Sequence, residues 1–185
     1  MTITLAEAIQ DVSIVFYQVE FSLKNQLYWE QNHLSADDFV NDLTVRLPEG
    51  DLHFPTEHFA DKANIIRAAT VHISIAYGCT ALALDQVLET AGFKPKPESD
   101  NNFDQIRCLV YLIRCAYAHR LADPYWEAYG KKIRQYQIDL GESNFTVDIG
   151  SLNGKIFRFE HIGGYANWHR IKDIVLAKLT AQQTA

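Results

Sequence analysis

Apolar residues recur at helical spacing from Leu5 to Tyr117 and then, from Tyr136 onward, at every second position. This change of period constrains the fold more than any other feature. A repeat of about 3.6 residues buries one stripe of a helix, and a repeat of two buries one face of a strand. Leu5, Ile9, Val12, Phe16, Val19, Leu23 and Leu27 predict a first helix over 5–29, opened by Thr4-Leu5-Ala6-Glu7 in capping-box form. Ser35 is read as the cap of a short helix through Leu43, followed by a turn at Leu47-Pro48-Glu49-Gly50-Asp51. A second long helix starts near Glu57 and is capped by Gly92. Gly78, inside it, is read as a mark of close packing on a neighbour, since glycine there costs about 1 kcal/mol against alanine. A third helix over 103–118 is apolar nearly all round apart from its arginines, which makes it the central element. Asp123-Pro124 reads as a cap with a first-turn proline, opening a further helix through Lys132.

The alternating stretches Tyr136–Leu140, Phe145–Ile149 and Ile156–Phe159 read as strands, and Asn153-Gly154 is the favoured hairpin dipeptide to join the last two. Gly163-Gly164 ends this meander. The expectation is therefore one α+β, predominantly α domain over 1–185. A helical bundle occupies 1–132, a small antiparallel β-meander 133–165, and a C-terminal helix 166–180.

The formal net charge is -6, which argues against a broad nucleic-acid-binding surface but leaves room for a small basic pocket. Cys79, Cys108 and Cys115 are odd in number and sit in apolar helical context, so they read as reduced small hydrophobes. The start lacks the basic region of a secretory signal, and the apolar stretches carry interspersed polar residues. A cytoplasmic protein with no membrane partner is expected.

The end of the central helix carries Arg114-Cys115-Ala116-Tyr117-Ala118-His119. A guanidinium holds a phosphate bidentately and an imidazole moves protons near neutral pH, so the pair has the parts for phosphodiester chemistry without a metal. On an ideal helix the two residues differ by about 140° in azimuth and about 7.5 Å along the axis. They serve one site only if the helix ends there or a second subunit contributes. A plainer account also stands. His119 would interact with the carbonyl end of the helix, and Arg114 would pair with Asp123 or Glu127. Arg107 shares a helix face with Arg114, Tyr111 lying between them, and a buried arginine needs a partner.

The stretch Ile113-Arg114-Cys115-Ala116-Tyr117-Ala118-His119, closing the central helix of a bundle, resembles the HEPN superfamily. The signature there is an arginine, four to six residues, then a histidine, often with asparagine directly after the arginine. The resemblance implies a HEPN-like antiparallel helical bundle over about Leu5 to Lys132. It further implies a homodimer in which two motifs meet in one composite cleft, Arg114 holding a scissile phosphate and His119 acting as acid/base. Many members are metal-independent ribonucleases of toxin–antitoxin, defence and RNA-processing systems, which implies an RNA substrate and an antitoxin-like protein partner. Cys115 departs from the pattern, because a thiol is a weak hydrogen-bond partner and cannot replace an amide.

Arg107, Tyr111, Tyr125 and Trp126 are the accompanying candidates for substrate binding, the last two as a base-stacking surface. Cys108, Cys115 and His119 share a stripe, but Cys108 and Cys115 lie about 10.5 Å apart along the axis, too far for one metal. No metal and no cofactor are expected. Glu160-His161-Ile162-Gly163-Gly164 is read as a tight turn needing positive φ. Three functions are open on this sequence: a metal-independent endoribonuclease, a non-catalytic interaction or dimerisation protein, and a nucleotide-binding or small-ligand module.

Overall fold

The computed structural model describes residues 3–31, 42–55, 59 and 61–183. Helix α1 runs over Leu5–Glu30, and its capping box is formed: Thr4 N donates to Glu7 Oε2 at 2.8 Å and Glu7 N to Thr4 Oγ1 at 3.2 Å. Its stripe of Ala8, Val12, Phe16 and Val19 is buried against helix α2, Lys62–Thr90, whose N-cap carboxylate on Asp61 accepts from Ala63 N. Helix α3, Asn102–His119, packs on the other side of α2, and the Asn101 side chain caps it by accepting from Phe103 N and Asp104 N. Ile106, Leu109, Val110, Leu112, Ile113 and Ala116 are all buried, so α3 is covered nearly all round as its composition predicts, although α2 is the helix that packs on both α1 and α3. The helix continues through His119 and stops at Arg120, where the backbone turns extended at φ -151°.

Gly78 lies where α2 approaches the end of α3. A Cβ there would come within 2.8 Å of Tyr117 Cδ1 and 3.2 Å of Leu121 Cδ2, so the missing side chain sets the interhelical distance. By length, and by a mean hydropathy of 1.3 over an 18-residue window within Ala63–Thr90, α2 alone among the described residues would also suit a membrane span, and here it lies packed along α1 and α3.

Two antiparallel hairpins accompany the helices. Strands β1 (Leu43–Leu47) and β2 (Gly50–Phe54) pair from Leu43↔Phe54 to Leu47↔Gly50 around the predicted turn. Leu43 therefore opens a strand and does not end a helix; the rest of the helix predicted from Ser35 lies outside the described residues. The predicted start of the second helix at Glu57 lies outside them too. Strands β3 (Gln135–Asp139) and β4 (Asn144–Asp148) pair from Gln135↔Asp148 to Asp139↔Asn144, with Tyr136, Ile138 and Val147 turned into the core. One turn of helix, α4 (Ile149–Leu152), follows.

The β-meander expected over 133–165 is a two-stranded hairpin, because the third alternating segment finds its partner upstream. Tyr125 bridges Ile156, Phe157 N donates to Pro124 O at 2.7 Å, and Trp126 N donates to Lys155 O at 2.9 Å. Those bonds hold 124–126 extended, so the helix predicted from Asp123 to Lys132 is absent apart from a 3₁₀ turn at Gly130–Lys132. Gly163 and Gly164 take the expected positive φ, 77° and 93°. Helix α5, Tyr165–Gln183, then buries Trp168, Ile171, Val175 and Leu179 in the shared core. The result is a mixed α+β, mainly helical chain.

Candidate functional site

The site is organised by a residue that sequence reasoning did not single out. Asp85, in α2 among Leu84, Val87 and Leu88, is buried, and both arginines of α3 converge on it. Arg107 Nη1 donates to Asp85 Oδ1 at 2.6 Å while its Nε donates to Phe93 O at 2.8 Å. Arg114 approaches the other carboxylate oxygen, Nε to Oδ2 at 3.6 Å. That separation is beyond a hydrogen bond, so the contact steadies the guanidinium without occupying its outer edge. Arg107 is 3 % exposed and Arg114 39 %. One carboxylate facing two guanidiniums leaves this group with a net positive charge at its exposed end.

The predicted partners of Arg114, Asp123 and Glu127, are not its partners. Glu127 instead lies by His119, Oε2 to Nε2 at 3.5 Å, with the imidazole side chain 73 % exposed. Glu127 also accepts from the Tyr129 hydroxyl. Since α3 stays helical through His119, the azimuthal separation of about 140° between Arg114 and His119 is retained. Within one chain the two side chains have separate acidic partners and do not converge.

The other candidates fall into two groups. Tyr111 is half-buried beside Arg114, with Lys132 Nζ 5.0 Å from its ring centroid. Its phenol is hydrogen-bonded to Cys115 one turn on, and that bond pushes its pKa above the ordinary value. Tyr125 is half-buried beneath the Arg120 guanidinium, 5.5 Å from the ring centroid. Trp126 is a core residue, 1 % exposed, donating its indole N–H to His161 Nδ1 at 3.0 Å. Arg107 and Trp126 therefore lie too deep to meet a substrate.

Around the Asp85 ion pair Ile75 and Cys79 on α2 and Arg114 and Cys115 on α3 are half-buried, while Leu82, Ala118 and Leu121 are exposed. Leu121 lies by Gly78 and Arg114 by Asp85, so this side of the α2–α3 contact carries both apolar side chains and a guanidinium. A second feature, also unread in the sequence, is a cleft of about 820 Å³ bordered by α1, α2, Tyr117 and residues 156–160. Neither Arg114 nor His119 lines it. Comparison with protein families, with curated proteins and with solved structures finds none that matches this chain.

Proposed function

We propose that this chain is a HEPN-like, metal-independent endoribonuclease whose site is composite. Two copies would meet on the α2–α3 face, Arg114 of one copy holding the scissile phosphate and His119 of the other serving as acid/base. The observation that carries the reading is the Asp85 arrangement: Arg114 is steadied by a buried carboxylate and left 39 % exposed. A guanidinium so placed presents N–H groups in fixed orientation to an anion.

The separation of Arg114 from His119 along α3 supports the composite form, because a two-fold axis passing between the two positions would bring each arginine toward the other copy's histidine. The chemistry needs no metal. The 2′-hydroxyl of RNA attacks the adjacent phosphorus, losing its proton to a base, and the departing 5′-oxygen gains a proton from an acid, leaving a 2′,3′-cyclic phosphate. The exposure of the His119 imidazole leaves it open to the reacting groups of a substrate.

One observation favours a second reading, a non-catalytic dimerisation protein on the same face. Cys115, at the position after the arginine, is engaged by Tyr111 and supplies no amide to orient a substrate. The two readings separate in one assay, cleavage of a single-stranded RNA oligonucleotide in EDTA. The ribonuclease reading expects wild type to generate cyclic-phosphate ends and His119→Ala to lose at least about a hundredfold in rate. A dimeric wild type that leaves the RNA intact overturns it in favour of the second reading.

A further inference from the structure

The large cleft described above lies apart from the Arg114 face, and its chemistry is different. We propose that it binds a small organic ammonium ion. Its volume, about 820 Å³, falls in the range of small-molecule sites. The inner wall is aromatic: Tyr77 stacks on Tyr165 at 4.5 Å between centroids, Phe159 packs 4.2 Å from each of them, and Tyr117 joins the lining. Ring faces are electronegative and attract an alkylammonium placed over them.

The charged lining points the same way. Glu30, Asp123 and Glu160 face the cleft against a single cation, Arg158. Among the described residues Asp123 and Glu160 are in no ion pair, and Glu30 accepts only from the Gln26 side-chain amide. An anion such as a nucleotide phosphate would meet net repulsion there, and a neutral ligand would leave three carboxylates unanswered.

A further observation independent of the acidic rim is Tyr77 itself. It lines the cleft, is 1 % exposed, and its hydroxyl has no hydrogen-bond partner among the described residues. Leaving a buried hydroxyl unsatisfied costs about 1–3 kcal/mol, which a bound N–H donor would recover. Burial drives the Tyr77 phenol far above its ordinary value, so it stays neutral and offers oxygen lone pairs to a donor. The proposal does not depend on the ribonuclease reading.

Three probes of one shape and different charge test it: phenethylammonium, 2-phenylethanol and phenylacetate, each titrated into the full chain and followed by amide chemical shifts. Phenethylammonium is expected to bind saturably, 2-phenylethanol at least about tenfold more weakly, and phenylacetate more weakly still. The Asp123→Asn/Glu160→Gln double variant should weaken phenethylammonium by about tenfold, and Tyr77→Phe by about three- to tenfold without lowering the melting temperature. The exposed double variant decides the matter if Tyr77→Phe does not fold. Equal binding of the three probes, unchanged binding by the folded double variant, or no saturable binding of phenethylammonium would each overturn the proposal.

Discussion

Arg107 Nη1 sits 2.6 Å from Asp85 Oδ1 with the two side chains 3 % and 9 % exposed, the most deeply buried ion pair among the described residues. It ties α3 to α2, and a second bond from Arg107 to Phe93 O ties both to the chain that follows α2. Two buried charges are tolerable together and very costly apart.

Removing one partner should therefore destabilise the fold strongly. Asp85→Ala or Arg107→Ala is expected to cost about 3–5 kcal/mol in urea unfolding, whereas Asp85→Leu/Arg107→Met should lose far less than their sum. Additive losses would show that the pair does not act as a unit.

Gly78→Ala gives a test in which sign matters. Alanine in a helix interior normally stabilises by about 1 kcal/mol relative to glycine. Here the new methyl meets the ring of Tyr117, itself 2 % exposed and unable to withdraw. A net loss of about 1–3 kcal/mol is expected, read as a lower melting temperature. A gain would mean that α2 and α3 are not in close approach at this point.

Much of the helical frame is legible in the sequence because its signals are local. Thr4 and Glu7 announce α1, Asn101-Asn102 follows a proline-rich loop into α3, and the alternation around Tyr136 and Val147 marks β3 and β4. Asp123-Pro124 misleads because capping chemistry is equally suited to a chain held extended by a distant partner. The bonds from 154–157 to 124–126 decide the outcome, and no local pattern reports them. The hairpin β1–β2 escapes for another reason: both strands are largely exposed, so its apolar alternation records no buried face. Asp85 is the least legible residue of the site. A lone carboxylate in an apolar stretch of helix signals a buried partner, but which arginine answers it depends on how α2 and α3 align.

Acidification should weaken the fold through His161. Burial holds its pKa below the ordinary 6.5, and Nδ1 accepts from both Trp126 Nε1 and Arg158 N, at 3.0 and 3.2 Å. The folded value is thus lower than the unfolded one. The neutral ring contributes its full stability above pH 6.5 and loses it as pH falls from there through the folded value. His169, also lowered by burial, acts in the same direction. Urea midpoints measured across this range should fall more steeply for wild type than for His161→Gln, with His169 supplying the remaining slope; identical slopes would remove His161 from the account.

The α2–α3 face should be where two copies meet. Leu82 is 39 % exposed at its edge, and Leu82→Asp would place a charge against the apolar surface of the other copy. Light scattering is expected to find a dimer for wild type and a monomer for Leu82→Asp, with RNA cleavage lost in the monomer. A dimeric Leu82→Asp variant would place the contact elsewhere.

The most direct test of the composite site mixes two crippled proteins. Arg114→Ala and His119→Ala, each inactive alone in EDTA, are unfolded together, refolded as a random mixture and assayed on single-stranded RNA. If each site takes its arginine from one copy and its histidine from the other, half the dimers are mixed and each restores one of two sites. The mixture should then recover about a quarter of wild-type cleavage. A mixture as inactive as its components, beside an active refolded wild type, would contradict a site shared between two copies.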